Sequence, residues 1–372
     1  MFARVLALFV AVALAGSQAP VIPAARLEAL PYAPRQYVCY RAPAPLTVDG
    51  RLVERAWTAI PWSDAFVDIE GGTRPLPRFR TRARMLWDDG FLYVAVELEE
   101  PDLWATLTDR DSVIFNDNDI EVFIDADGDT HTYAEFEVNA RGTVWDLMLV
   151  RPYRDGGPAI NAWDATGLKS AVSLRGTLNR PGDRDDGWTL EMAIPWRVLR
   201  ETAPGKRPPR PGDHWRVNFS RVEWRLDASG GRYQKRVDPG IGRPVAADNW
   251  VWSPQGVVDM HMPERWGLVQ FSGLDAGAGT EAFVEDANDR VKWALRRLYY
   301  RQREFRAAHG RYAAAVGDLE GPPVTVEGLD FKPRLQATSD TYQLDAPGFG
   351  GWLAHLQHDG RVWLQRGQRG RE

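Results

Sequence analysis

The stretch from Asp111 to Leu147, DSVIFNDNDIEVFIDADGDTHTYAEFEVNARGTVWDL, alternates apolar and polar residues in two runs around a small acidic turn. In the first run Ile120, Val122 and Ile124 share one face and Glu121, Phe123 and Asp125 the other, the period of two imposed by a half-buried strand. Ala126 to Thr130, with Asp127, Gly128 and Asp129, has the small acidic and glycine chemistry of a chain reversal. Ala134, Phe136 and Val138 then oppose Tyr133, Glu135, Glu137 and Asn139. The pattern predicts a β-hairpin whose paired apolar faces leave a carboxylate-rich outer face. A register that sets Glu121 across from Glu137 would place two like charges together, which calls for a cation, an arginine or a hydrogen-bonding ligand between them.

The same grammar recurs along the chain. Residues 83 to 98 read as a second hairpin around Asp88, Asp89 and Gly90, and residues 188 to 194 and 215 to 224 as further strands with one wet face. Many short strands, glycine turns and few helices before Phe271 predict a mainly β fold, an antiparallel β-sandwich. The character changes after Gly273. Residues 281 to 309 carry Val284, Val291, Leu295, Leu298, Gln302 and Phe305 at helical spacing, with a break at Gly310 and a second short helix through Tyr312, Val316 and Leu319. FKPRL, YQL, WLAHL and VWLQ then predict a small sheet, so the sandwich is followed by a small α+β C-terminal domain. The expected divisions are a leader at 1–17, a Pro- and Ala-rich extended arm at 18–45, the sandwich at 46–271 and the helix-plus-sheet unit at 280–366.

The apolar run Val5 to Ala15 behind Arg4 is too short to span a bilayer and ends in small residues, the form of a secretory signal peptide cut after Ser17. A secreted or periplasmic protein is expected. Cys39, the only cysteine, lies too far beyond that run to be the lipid-bearing first residue of a lipoprotein, and it cannot form an internal disulfide. A net charge of −5 with mixed signs gives no basic footprint for nucleic acid or anionic membrane. Tryptophan is abundant, and its sixteen indoles can stack on the C–H faces of sugars as well as fill cores.

Six motifs resemble, in order and spacing, those of family 9 carbohydrate-binding modules: DGRLVERAW (Asp49 to Trp57), MLWDDGFLYVAVEL (Met85 to Leu98), NDIEVFID (Asn118 to Asp125), AEFEVNARGTVWD (Ala134 to Asp146), WTLEMAIPW (Trp188 to Trp196) and ERWGLVQF (Glu264 to Phe271). The resemblance ends at Phe271. It implies a jelly-roll-like sandwich that binds plant-type oligosaccharides or glycan chain ends without catalysis. It also implies structural calcium and a common attachment to glycoside hydrolases, so that a partner enzyme could engage the C-terminal domain. In sugar-binding members two aromatic rings sandwich the sugar, and Phe115 and Trp252 occupy the matching stretches. Glu121 and Asn139 match the polar positions of that site. Where relatives can carry a basic residue, this chain has Glu137.

The residues leave alternatives open. Trp250 and Trp252, in the polar run DNWVWSPQG, are either the rim of the core or a binding platform. Glu121, Glu137, Asn139 and Arg221 suit charge-assisted hydrogen bonds to sugar hydroxyls, or form a solvated sheet face. Asp125, Asp127 and Asp129 have the alternating oxygen spacing of a calcium loop, yet Thr130 and Phe136 stand where an EF-hand needs glycine and glutamate, which favours a plain turn. No ligand spacing for zinc occurs. Two further readings compete with sugar binding. Glu135 and Glu137 are a carboxylate pair for glycoside hydrolysis, although an open sheet face lacks the apolar pocket that keeps one acid protonated. Met260, His261 and Met262 are potential ligands for a non-covalent haem in a periplasmic redox subunit of the same sandwich type.

Overall fold

A computed structural model describes residues 22–367, so the leader expected at 1–17 lies outside the described residues. The strands that matter are β1 (Gln36–Arg41), β2 (Thr81–Trp87), β3 (Phe91–Leu98), β4 (Asp119–Asp125), β5 (Tyr133–Asn139), β6 (Val144–Leu149), β7 (Lys169–Arg175), β8 (Gly187–Pro195), β9 (His214–Glu223), β10 (Asp248–Val251) and β11 (Gly267–Asp275). Their order across one large sheet is β6-β5-β4-β9-β11-β1-β2-β3-β8-β7, with β10 paired to the far half of β9. Ile120, Val122 and Ile124 of β4 share one buried cluster with Leu92, Val94, Val96 and Leu98 of β3 and with Trp188 and Leu190 of β8. The sheet therefore folds over on itself, and the apolar side of each half faces the other as a sandwich.

Neighbouring strands are antiparallel except around β1, which runs parallel to both β11 and β2. Gln36 pairs with Leu268 and Tyr40 with Leu86. This departs from the extended arm expected at 18–45. Tyr37 and Cys39 alternate into the core, so the segment is a central strand. Ahead of it a short helix, α1 (Ala24–Ala29), packs Ala24 and Leu27 into the C-terminal core. Pro-rich composition hid two real elements. Prolines flank them and lie outside the strand, where they remove no ladder hydrogen bond.

The C-terminal unit is built on α2 (Ala287–His309), capped by the Asp286 carboxylate on the Asn288 amide and ended by Gly310 in the left-handed region at φ 69°. It starts later than residue 281, because the preceding segment is tied down instead. Glu281 and Val284 hydrogen-bond to Tyr40, Gln270 and Ser272 on the sandwich. Strands β12 (Arg334–Ala337), β13 (Tyr342–Pro347), β14 (Trp352–Gln357) and β15 (Val362–Arg366) form an antiparallel sheet against the helix. The second short helix expected after Gly310 is only a single tight turn at Val316–Asp318. Where the unit meets the sandwich the contacts are polar: Tyr300 to Glu264, Tyr299 to Asp155, Arg303 to Asp155 at 2.9 Å, and Arg296 to the Thr130 hydroxyl at 3.1 Å. No helix among the described residues is long and apolar enough to cross a membrane.

Candidate functional site

In the β4–β5 ladder Asp119 faces Asn139, Glu121 faces Glu137 and Phe123 faces Glu135. The next strands continue the row: Ser220 of β9 pairs with Glu121, and Trp145 of β6 with Glu137. The like-charge register foreseen from the alternation is the one adopted. What differs is the environment. Every residue of β4 and β5 is buried, on both faces. Phe123, Tyr133, Trp145, Leu147 and Leu149 form a second apolar cluster on the outer side, closed by Ile114 from the turn before β4 and Trp266 from the turn before β11. The outer face is thus a covered layer.

Acids placed there are strongly perturbed. The ligand oxygens of Asp119, Glu121 and Glu137 lie within 4.8 Å of one another. Burial pushes Asp119 well above the usual carboxylate range, and the charge of Glu121 pushes further. Glu121 rises to about 7 through burial, opposed by a hydrogen bond with Ser220. Burial likewise raises Glu135 and Glu137, reinforced in each case by Glu121. Asp119 Oδ2 and Glu135 Oε2 have no hydrogen-bond partner, and none of the four acids takes part in a salt bridge among the described residues. A group of buried, like-charged carboxyls without a counter-ion must either hold protons or receive a cation.

Two exposed rings stand by this layer. Phe115 is 42% exposed; its backbone amide donates to Glu137 Oε2 at 3.0 Å and its ring lies 6.3 Å from that of Trp145. Tyr153 is 54% exposed, and its hydroxyl is raised to about 12 by burial and by the charges of Glu135 and Glu137. An aromatic face beside hydrogen-bonding carboxyls is the arrangement that recognises a sugar ring.

Phe115, Glu121 and Glu137 come together as expected, and four other expected residues do not join them. Asn139 lies near, but its amide is fully engaged: Nδ2 donates to the Leu107 carbonyl and to Asp117, and Oδ1 accepts from the Arg141 and Thr143 amides. It is a structural clamp. Arg221 faces the sandwich interior, held by Glu100 at 2.7 Å and Glu223 at 2.9 Å. Trp250 is buried and packs edge-on against Phe79, with the Arg221 guanidinium 5.3 Å from its ring. Trp252 is 1% exposed and sits between Tyr37 and Phe219. A Cβ on Gly267 would lie 2.3 Å from its indole, so a glycine makes the room it needs. These two tryptophans are core. In β9 and β10 the period of two aims Arg221, Trp250 and Trp252 at the side opposite Glu121.

In the acidic turn the ligand oxygens of Asp125, Asp127 and Asp129 also lie within 4.8 Å of one another, and each carboxylate already accepts hydrogen bonds. Asp125 accepts from the Gly128 and Thr130 amides, Asp127 from Asp129, and Asp129 from His131 and from Arg361 at 2.7 Å. Lys292 and Arg216 close over Gly128, where a Cβ would meet their nitrogens at 3.5 and 3.8 Å. Arg361 supplies counter-charge at Asp129, while burial and the neighbouring acids raise Asp125 and Asp127, the latter to about 6. The haem cluster does not assemble. Met260 belongs to the outer apolar cluster and Met262 to the C-terminal core, while His261 bonds to the Tyr133 hydroxyl at 2.9 Å. Burial and nearby Arg154 lower His261 to about 3, which keeps the imidazole neutral.

Sequence reasoning passed over Asp119 and Tyr153, and weighed Glu135 only as a catalytic acid. Asp119 lies two residues before Glu121 and so on the same face, a signal that was present in the alternation. Tyr153 opens a single tight turn after β6, Tyr153–Asp155, too short for periodicity to carry information.

The carbohydrate family 9 binding domain-like family matches residues 48–211. No curated protein matches the chain. Among solved structures it is similar to a carbohydrate binding module family 9 from Caldicellulosiruptor kristjanssonii in complex with cellotriose, at 16% identity over 67% of this chain and 100% of that one, with a TM-score of 0.42. The structure of a carbohydrate binding module family 9 from the same organism in complex with glucose is similar at 17% identity, 67% and 100% coverage and a TM-score of 0.40. Five of the six motifs, from Asp49 to Trp196, fall within the matched residues, so the stretch 48–211 is similar to the carbohydrate family 9 binding domain-like family.

Proposed function

We propose that this is a secreted, non-catalytic carbohydrate-binding protein that recognises plant-type oligosaccharides or glycan chain ends at the rim of the β4–β5 face, between Phe115 and Tyr153. The observation that carries this reading is the bond from the Phe115 amide to Glu137 at 3.0 Å, which fixes an exposed ring and a carboxyl as one unit. Stacking on the ring removes apolar sugar surface from water, and the exposed Tyr153 beside it can exchange hydrogen bonds with hydroxyls. Catalysis is disfavoured. Glu135 and Glu137, the pair two apart on β5, are buried beneath the outer apolar cluster, which leaves no room for a glycosidic bond between them. The leader-like run Val5 to Ala15 supports export.

The test is calorimetry of the mature chain against xylan- and cellulose-derived oligosaccharides, beside a denaturant melt. Phe115→Ala is expected to weaken binding by roughly tenfold to a hundredfold, about 1 to 3 kcal/mol, and to leave stability nearly unchanged because the ring is exposed. Equal binding by Phe115→Ala and the wild type, or no binding by the wild type, would overturn the reading.

A further inference from the structure

The geometry points to a hard divalent cation of the calcium class, held by Asp119, Glu121 and Glu137 on the covered outer face of β4–β5. Three strand residues converge there by register alone: Glu121 and Glu137 are direct partners, and Asp119 precedes Glu121 by two on the same face. Their ligand oxygens all lie within 4.8 Å of one another. Oxygens bound to calcium at about 2.3 to 2.6 Å stand no more than about 5 Å apart, whereas magnesium at about 2.0 to 2.1 Å demands a set tighter than about 4.2 Å. An all-oxygen set without nitrogen or sulfur excludes the softer metals.

Glu135 supplies the second, independent observation. It is 4% exposed and lies outside that trio, two residues before Glu137 on the same side of β5. Its carboxyl interacts with both Glu137 and Glu121, yet its Oε2 has no partner. Asp119 accepts the Val222 amide through Oδ1 and leaves Oδ2 unanswered. Other buried acids are answered by cations or by hydrogen bonds: Arg221 holds Glu100 and Glu223, Arg154 holds Glu264, and Glu191 accepts from the Trp57 indole and the Asp49 and Gly50 amides. Here the chain provides four acids and no base.

This inference shares Glu137 with the proposed sugar site, where it anchors Phe115, and its probe is therefore the metal alone. Terbium, a calcium surrogate of similar ligand preference, is titrated into the full chain with excitation of tryptophan, since Trp145 is the ladder partner of Glu137. Calcium should displace it. Glu137→Gln and Asp119→Asn should each weaken binding by at least about tenfold, while Asp127→Asn in the acidic turn should bind like the wild type. Calcium should raise the melting temperature of the wild type and chelator should lower it, with Glu137→Gln insensitive to both. If Glu137→Gln does not fold, Asp119→Asn decides. The inference is overturned if the wild type binds neither ion, which means the acids are held neutral by protons. It is equally overturned if both face variants bind normally, or if Asp127→Asn abolishes binding.

Discussion

One hairpin carries two acidic clusters, and they are treated in opposite ways. At its tip, Asp125, Asp127 and Asp129 accept backbone amides, and Arg361 from the C-terminal unit, with Lys292 and Arg216 near, completes the charge. Along its face, Asp119, Glu121, Glu135 and Glu137 are all buried and have no basic side chain in a salt bridge among the described residues. Residue type does not distinguish them. The tip is a turn that uses its carboxylates as local hydrogen-bond acceptors, and it also docks the second unit. The face keeps acids where packing alone would favour apolar residues, at a cost that protons or a cation must offset. Uncompensated burial is the better marker of function.

The largest expected effect comes from making a compensated cluster resemble the bare one. Arg221→Met strips Glu100 and Glu223 of their cation inside the sandwich, and should cost about 3 to 5 kcal/mol in a denaturant melt. A loss under about 1 kcal/mol would mean that buried acids are tolerated here without a base, and the contrast between tip and face would lose its force.

The next effect is a pH dependence. Burial would raise Glu264, but Arg154, Arg296 and the hydrogen bond from Tyr300 outweigh it and hold the group at about 2, against an ordinary value of 4.5. A carboxyl lowered in the native state stabilises it fully above its unfolded pKa and loses that contribution as pH falls from about 4.5 to about 2. About 3 kcal/mol should disappear across that window. Glu264→Gln should flatten the same window. An unchanged slope in the variant would show that other acids govern acid unfolding.

The smallest effect concerns the tip itself. Arg361→Ala removes the partner of Asp129 from a half-exposed position, so no more than about 1 kcal/mol should be lost, less at high salt. If the variant gains calcium-dependent stability, removing the base has turned the tip into a cation site, which would sharpen the rule that counter-charge separates the two clusters.

Much of the fold was legible in the chain. The alternation of Ile120, Val122 and Ile124 against Glu121 and Phe123 reads directly as a sheet face, and the hairpin pairing of Glu121 with Glu137 follows from it. Cover was not legible. A polar face in a period-2 strand reads as wet, and the residues that close it, Ile114 and Trp266, come from turns far apart in sequence. Trp252 misled because the polar run around it resembles a loop, while its indole fills space left by Gly267. Arg221 misled for a related reason: Glu223 is two residues on in its own strand, but Glu100 lies just past β3, and only the folded sandwich brings it to Arg221.

The placement of β1 governs the order in which the molecule can be completed. Its main partner is β11, where Gln36 meets Leu268 and Cys39 meets Phe271, so the first strand to leave the ribosome waits for the last strand of the sandwich. The short ladder to β2, through Tyr40 and Arg41, is all that can hold it earlier. Closure of so long a loop is entropically unfavourable before its contacts form, which places this chain among slow-folding, high-contact-order proteins. Until β11 is made, the edge of β1 is an open ladder, available to another nascent copy as readily as to its own chain.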